Sequence, residues 1–109
     1  MLDKKNVISD LTRWIDSMLC TPLTIEMIAS RSGYSKWHIQ RMFREIQDTS
    51  IGAYIRNKRL DQAAADLLSS GEEIIDISEK NGFVSQQSFT YMFIRKFGIS
   101  PYSFRKINC

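Results

Sequence analysis

The fold is decided by residues 33–44, GYSKWHIQRMFR, which predict a turn followed by a capped helix with two different faces. Gly33 suits the turn. Ser35 suits the N-cap, because its hydroxyl can accept a hydrogen bond from a backbone N–H of the first helical turn. Apolar side chains then recur at helical spacing and predict a buried inner face. This face consists of Ile39, Met42, Phe43 and Ile46.

The opposite face of the same helix carries side chains that can read DNA. We call it the first reading face, and it consists of Trp37, Gln40, Arg41 and Arg44. An arginine can donate two hydrogen bonds to guanine, a glutamine can pair with adenine in a similar way, and an indole offers flat apolar surface to a thymine methyl group. An ordinary solvated helix would have a similar stripe, so this face alone leaves both interpretations open.

A second short helix is predicted directly before the turn. Thr24 is a suitable N-cap, and Glu26 suits the positive end of the helix dipole. Its inner face would consist of Ile25, Ile28 and Ala29. Two helices joined by a glycine turn form a helix-turn-helix, which places the first reading face at the position of a recognition helix. This context favours DNA binding over a merely solvated face.

Upstream, apolar residues from Val7 to Leu19 predict a packing helix that ends at Thr21-Pro22. We expect Trp14 at the edge of the core and Cys20 inside it. Cys20 and Cys109 are too few for a disulfide framework, and a reducing cytoplasm is the simplest setting.

A longer helix over residues 51–68, capped by Thr49-Ser50, has apolar residues that change sides midway. Ile51, Tyr54 and Ile55 fall on one side, and the later apolar residues fall on nearly the opposite side. These are Leu60, Ala63, Ala64 and Leu67. A helix of this kind can contribute to two small cores. The predicted organisation is an N-terminal module at 1–50, a linker helix at 51–68 and a C-terminal module at 69–109.

The C-terminal module repeats the pattern of the first. Ile77-Ser78 and Gly82-Phe83 echo Ile28-Ala29 and Gly33-Tyr34, and Ser85 echoes the cap at Ser35. The sequence therefore predicts an all-α fold of about seven helices, with two helix-turn-helix modules joined by a shared linker helix. The second reading face would consist of Gln87, Thr90, Tyr91 and Ile94, with Gln86 and Ser88 near the helix start. It carries no positive charge before Arg95, so the two faces are expected to read DNA unequally.

Composition permits this interpretation without demanding it. The chain has 109 residues, 43% of them hydrophobic, and a net charge of +3, so a folded domain with a nucleic-acid partner is possible. No apolar stretch approaches the ~20 residues of a membrane span. The two cysteines and the single His38 predict neither a metal site nor a cofactor.

In this order of motifs the chain resembles the AraC/XylS family of bacterial transcriptional regulators, and within it the small stand-alone activators. The most specific pieces are residues 32–43, Tyr54-Ile55-Arg56, Gly82-Phe83, residues 85–89, Phe93, Phe97-Gly98, Pro101 and Phe104-Arg105. The chain departs from these activators at Tyr91, where they usually carry Arg.

The resemblance implies a division of labour among the polar residues. Trp37, Gln40 and Arg41 would contact bases in one major groove. The second groove would be read more lightly by Gln86, Gln87, Ser88 and Thr90, with Tyr91 as a further candidate. The resemblance implies that Arg56 and Arg105 hold backbone phosphates. We expect further phosphate contacts from Ser35, Lys36 and Arg44.

The same resemblance implies activation through contact with RNA polymerase at stress or multidrug-resistance promoters. Two reading helices in one chain make a dimer unnecessary, so a monomer on two adjacent major grooves of an asymmetric site is expected. This length leaves no room for an effector-binding domain, and activity would then follow the amount of protein.

Several alternatives remain open at this point. A repressor, an architectural protein or the reading module of a larger regulator would use the same motifs. An enzyme such as a DNA-alkyl transferase would need a reactive cysteine with helper groups or a metal-binding cysteine cluster, and Cys20 and Cys109 supply neither. An adaptor could dock a partner helix on Tyr91 and Ile94. DNA binding should weaken steeply with salt, whereas apolar docking should not.

Overall fold

The computed structural model describes residues 3–108, and over this range the chain forms seven α-helices and no strands. The all-α prediction is therefore confirmed. Cys109, a predicted free thiol, lies outside the described residues. The helices are α1 Lys4–Ser17, α2 Ile25–Ser32, α3 Lys36–Gln47, α4 Ile51–Ser69, α5 Ile74–Lys80, α6 Gln86–Phe97 and α7 Pro101–Ile107.

The chain divides into two compact units, one up to Asn57 and the other from Lys58 onward. The division falls inside α4, where the sequence predicts that the apolar residues change sides. Ile51 and Ile55 are buried in the core of the first unit. Leu60, Ala63, Ala64 and Leu67 are buried in the core of the second unit. The predicted change of side is confirmed.

The core of the first unit is built by α1, α2, α3 and the start of α4. Its most buried side chains include Ile8, Ile15, Ile39 and Phe43, each 0% exposed. Trp14 packs against the edge of this core, as predicted, and the Arg31 guanidinium lies 5.7 Å from its ring centroid.

One expectation for this unit is wrong: Cys20 is exposed. Helix α1 ends at Ser17, and the chain then turns, with the Thr21 N–H donating to the Met18 carbonyl at 3.0 Å. In this turn Leu19 faces the core and is 4% exposed. Cys20 therefore lies beyond the helical periodicity from which its burial was predicted.

The first helix-turn-helix has the predicted caps and boundaries. Thr24 Oγ1 accepts from the Met27 N–H at 3.2 Å at the start of α2. Gly33 ends α2 in the left-handed conformation, with φ of 80°, which glycine adopts without steric cost. Together these local interactions set where α2 stops and α3 starts.

The core of the second unit is rich in aromatic rings. Phe89 and Phe93 are 0% exposed, and Phe93 lies 4.5 Å from Phe97 and 5.4 Å from Phe104 between ring centroids. Serine caps begin its last two helices, Ser85 before α6 and Ser100 before α7. This packing places α6 in the second helix-turn-helix, at the position that α3 has in the first.

Candidate nucleic-acid interface

Helix α3 separates its two faces as the sequence predicts. The inner residues Ile39, Met42 and Phe43 are at most 2% exposed. The first reading face lies on the surface, where Trp37 is 67% exposed and Gln40, Arg41 and Arg44 are also exposed. A large indole on the surface is unusual for a residue that normally contributes to cores or interfaces. Its exposure indicates that this face is available to a partner.

Arg41 is oriented by two neighbours on the same helix. Its Nε lies 3.3 Å from Glu45 Oε1, and its guanidinium carbon lies 5.3 Å from the centroid of the Trp37 ring. Glu45 also lies 3.6 Å from Lys4 Nζ. Exposed pairs of this kind contribute little to folding, about 0–1 kcal/mol, but they restrict the guanidinium to fewer orientations. Sequence reasoning missed Glu45, although its spacing of four residues from Arg41 was a signal.

The N-terminus of α3 presents further groups suited to phosphate. Ser35 Oγ accepts from the His38 N–H at 3.2 Å, which leaves the hydroxyl proton free to be donated. Lys36 Nζ lies 3.3 Å from Glu26 Oε1. The pKa of Glu26 is lowered, first by a hydrogen bond from its own backbone N–H and then by Lys36. The charge of Lys36 is therefore shared with a carboxylate.

Gln40 and Arg44 border a cleft of about 370 Å³ that sequence reasoning did not anticipate. Its other walls are mainly apolar and consist of Leu23, Ile25, Ile28, Ser50, Ile51, Gly52 and Ile55. Arg44 has no carboxylate within ion-pair distance among residues 3–108. Its charge is consequently less compensated than that of Arg41.

The residues predicted to form the second reading face lie on α6. Gln86, Gln87, Thr90 and Tyr91 together line a shallow, open depression of about 430 Å³. Tyr91 is 60% and Ile94 is 42% exposed, whereas Ser88 and Thr90 are partly buried. The Ser85 hydroxyl accepts from the Ser88 N–H at 3.0 Å and caps the helix. Amide, hydroxyl and aromatic groups meet here, without a cation in the depression itself.

The two remaining candidate phosphate ligands have different surroundings. Arg56 is exposed on α4 and forms no ion pair within the described part of the chain. Arg105 is partly buried, and its Nε and Nη2 donate to the carbonyls of Leu67 and Ser70 at 2.9 and 3.1 Å. Arg105 therefore caps the carbonyl end of α4, and only its remaining N–H groups could reach a phosphate.

Among residues 3–108, no helix is both long and apolar enough to cross a membrane. The described residues likewise contain no group of three or more His, Cys, Asp or Glu placed to hold a metal ion.

Two helix-turn-helix motifs with exposed polar recognition helices define a DNA-binding protein. A helix-turn-helix domain family matches residues 28–107. The chain is 42% identical over 104 residues to the Regulatory protein SoxS of Escherichia coli K12, covering 95% of this chain and 97% of SoxS. It is 40% identical to the Right origin-binding protein of the same strain, covering 96% of this chain and 36% of that protein. The chain belongs to the AraC/XylS family of transcriptional regulators.

Solved structures share the fold. An AraC-type regulator from Chromobacterium violaceum superposes with a TM-score of 0.90 at 23% identity, covering 96% of this chain and 94% of that one. The DNA-binding domain of AdpA, in complex with a target DNA, superposes with a TM-score of 0.86 at 23% identity, covering 92% of this chain and 90% of the domain.

Proposed function

We propose that the protein is a monomeric transcriptional activator that binds double-stranded DNA through α3 and α6. The observation that carries this proposal is the exposed first reading face, in which Arg41 is oriented by Trp37 and Glu45. An oriented guanidinium suits bidentate recognition of guanine in a major groove. Each chain contains two reading helices, so a two-fold dimer is unnecessary, and the target would be an asymmetric site with two adjacent major grooves.

The two helices would contribute unequally. The first reading face carries Arg41 and Arg44, whereas the corresponding surface of α6 carries Tyr91 and Ile94. Cations supply most of the phosphate and guanine contacts that anchor a protein on DNA. We therefore expect α3 to be the anchor and α6 to adjust specificity. Phosphate contacts would come from Ser35, Lys36, Arg44 and Arg56, with a smaller part for Arg105.

Activation is the part of the proposal that depends on the family. Identity of 42% to SoxS over nearly the whole length of both chains supports a transcriptional regulator. From the family resemblance we infer that it recruits RNA polymerase at stress or multidrug-resistance promoters. The site of action would be the cytoplasm, where bacterial promoters lie.

The first experiment is selection of bound sites from fragmented genomic DNA, followed by transcription in vitro from the selected promoters. We expect more transcript when the protein is added with RNA polymerase. A decrease in transcript would identify a repressor, and enrichment of no particular sequence would contradict specific binding.

The same selected site provides a map of the two helices. Base substitutions in the half-site under α3 should cost more affinity than substitutions under α6. Equal or reversed costs would contradict the role of α3 as anchor. Sedimentation of the complex should give one chain per site, and two chains per site would contradict the monomer.

A further inference from the structure

Helices α3 and α6 correspond position by position. Each has 12 residues and follows a serine whose hydroxyl caps the third backbone N–H of the helix. In this correspondence Tyr91 occupies the position of Arg41, and Arg95 occupies the position of Glu45. The two helices therefore place a pair of polar side chains, four residues apart, at the same place.

The contacts within the two pairs are different. In α3 the cation comes first, and Arg41 Nε lies 3.3 Å from the Glu45 carboxylate. In α6 the cation comes second, and Arg95 Nη1 donates to the Tyr91 hydroxyl at 3.0 Å. The Arg95 guanidinium carbon also lies 5.7 Å from the Tyr91 ring centroid. The Arg95 guanidinium therefore lies one helical turn back towards the N-terminus of α6, beside the Tyr91 hydroxyl.

Charge compensation also differs between the pairs. Arg41 has the Glu45 carboxylate beside it, whereas Arg95 has no carboxylate within ion-pair distance among residues 3–108. The other cation of α6, Lys96, lies 2.6 Å from Asp61. The positive charge that α6 presents without compensation is therefore that of Arg95.

We propose that Arg95 binds a DNA phosphate and that Tyr91 is a positioning residue that holds its guanidinium. This inference rests on the proposed function, because it requires α6 to lie in a groove of DNA. Arg95 belongs to the last turn of α6, while bases are contacted mainly by the first turns of a recognition helix. At ~100° per residue it also lies about 140° around the helix from Thr90 and about 40° from Tyr91, at the edge of the second reading face, where a groove wall would lie if Thr90 faces the bases.

The donors left at this pair fit a phosphate. One N–H of Arg95 Nη1 donates to the Tyr91 hydroxyl, and the N–H groups of Nε and Nη2 remain to donate to a phosphate. The Tyr91 hydroxyl accepts this bond and keeps its own proton to donate. A phosphate oxygen accepts several hydrogen bonds, and charge-assisted bonds from a guanidinium are among the strongest. Tyr91 then acts through Arg95, a different role from reading a base.

The test begins with Arg95→Gln, measured on the target site and on random DNA from ~50 to ~200 mM salt. Each phosphate contact contributes about 0.9 to the slope of log affinity against log salt. The wild type should therefore have the steeper slope, and its advantage in affinity over Arg95→Gln should shrink about 3.5-fold between ~50 and ~200 mM salt, on the target site and on random DNA alike. Lys96→Gln, one residue away, is the matched control. It should leave the slope unchanged, because the Lys96 ammonium group already forms an ion pair with Asp61.

The positioning role is tested with Tyr91→Phe, which keeps the ring and removes the hydroxyl. Binding should weaken about two- to tenfold in the wild-type background, the usual effect of one hydrogen bond, and should not change in the Arg95→Gln background. An equal loss in both backgrounds would show that the hydroxyl contacts DNA itself and would overturn the positioning role.

The outcomes separate this inference from the proposed function. If the wild type binds with a steep salt slope and Arg95→Gln leaves that slope unchanged, the phosphate contact is wrong and DNA binding stands. If the wild type shows no salt-dependent binding to its selected sites, the proposed function fails first. Arg95 is exposed, so an unchanged thermal melt of Arg95→Gln is expected and confirms that the variant is folded.

Discussion

Replacing Arg41 by alanine should separate the stability of the protein from its specificity for DNA. The Arg41 side chain is 63% exposed, and its structural contacts are the ion pair with Glu45 and the stacking on Trp37. An exposed ion pair contributes about 0–1 kcal/mol, and an exposed cation–π contact about 0.5–1 kcal/mol. The free energy of unfolding should therefore fall by no more than about 2 kcal/mol.

The effect on recognition should be larger and of a different kind. A bidentate arginine contact discriminates one base pair by about 1–3 kcal/mol, which corresponds to roughly 5- to 150-fold in affinity. We expect Arg41→Ala to lower the ratio of specific to random-DNA affinity by this factor. The measurement is a competition between target and random duplexes at one fixed salt concentration, since both affinities depend steeply on salt.

Arg13→Ala is the matched control. Arg13 lies on α1, is 75% exposed and forms an ion pair with Asp10 at 2.6 Å, so it resembles Arg41 in residue type and exposure. Its removal should leave the ratio of affinities unchanged. If Arg41→Ala also leaves the ratio unchanged, Arg41 does not read a base, and the function of the first reading face would have to be reconsidered.

Two further predictions concern stability. The side-chain N–H groups of Asn81 and Asn108 each donate to the backbone carbonyl four residues earlier at 2.8 Å. Asn81 is only 2% exposed and also donates to the Asp66 carboxylate, whereas Asn108 is exposed. Asn81→Ala should cost about 1–3 kcal/mol and Asn108→Ala less than about 0.5 kcal/mol in chemical denaturation; equal costs would contradict a role for burial. Burial, and then the hydrogen bond to Asp16, raise the pKa of Tyr54 to about 12. Because this pKa exceeds the usual value of 10.0, the folded state favours the neutral phenol of Tyr54. The stabilisation that the neutral phenol contributes is complete below pH 10 and is lost as the pH rises through 12. Wild type should therefore lose more stability than Tyr54→Phe over this range, and parallel pH profiles would refute the assignment.

Much of this protein could be predicted from the sequence, because the deciding interactions are local. The caps at Ser35, Ser85 and Ser100 each accept a hydrogen bond from a backbone N–H three residues later. Such a bond depends on one helical turn, and its residue types stand together in the sequence. The apolar periodicity of α3 and the change of side along α4 are equally visible, since helical geometry converts spacing into direction. The seven helices of residues 3–108 and the exposure of Trp37 follow from these patterns.

The tertiary structure decided how polar and terminal side chains are used. Arg105 resembles a phosphate ligand in sequence, yet its guanidinium is held by the Leu67 and Ser70 carbonyls, more than 30 residues earlier in the chain. Cys20 follows a buried leucine and is nevertheless exposed, because the chain has left the helix. Periodicity is a property of one helix, whereas the partner of a long flexible side chain depends on the elements that folding brings beside it.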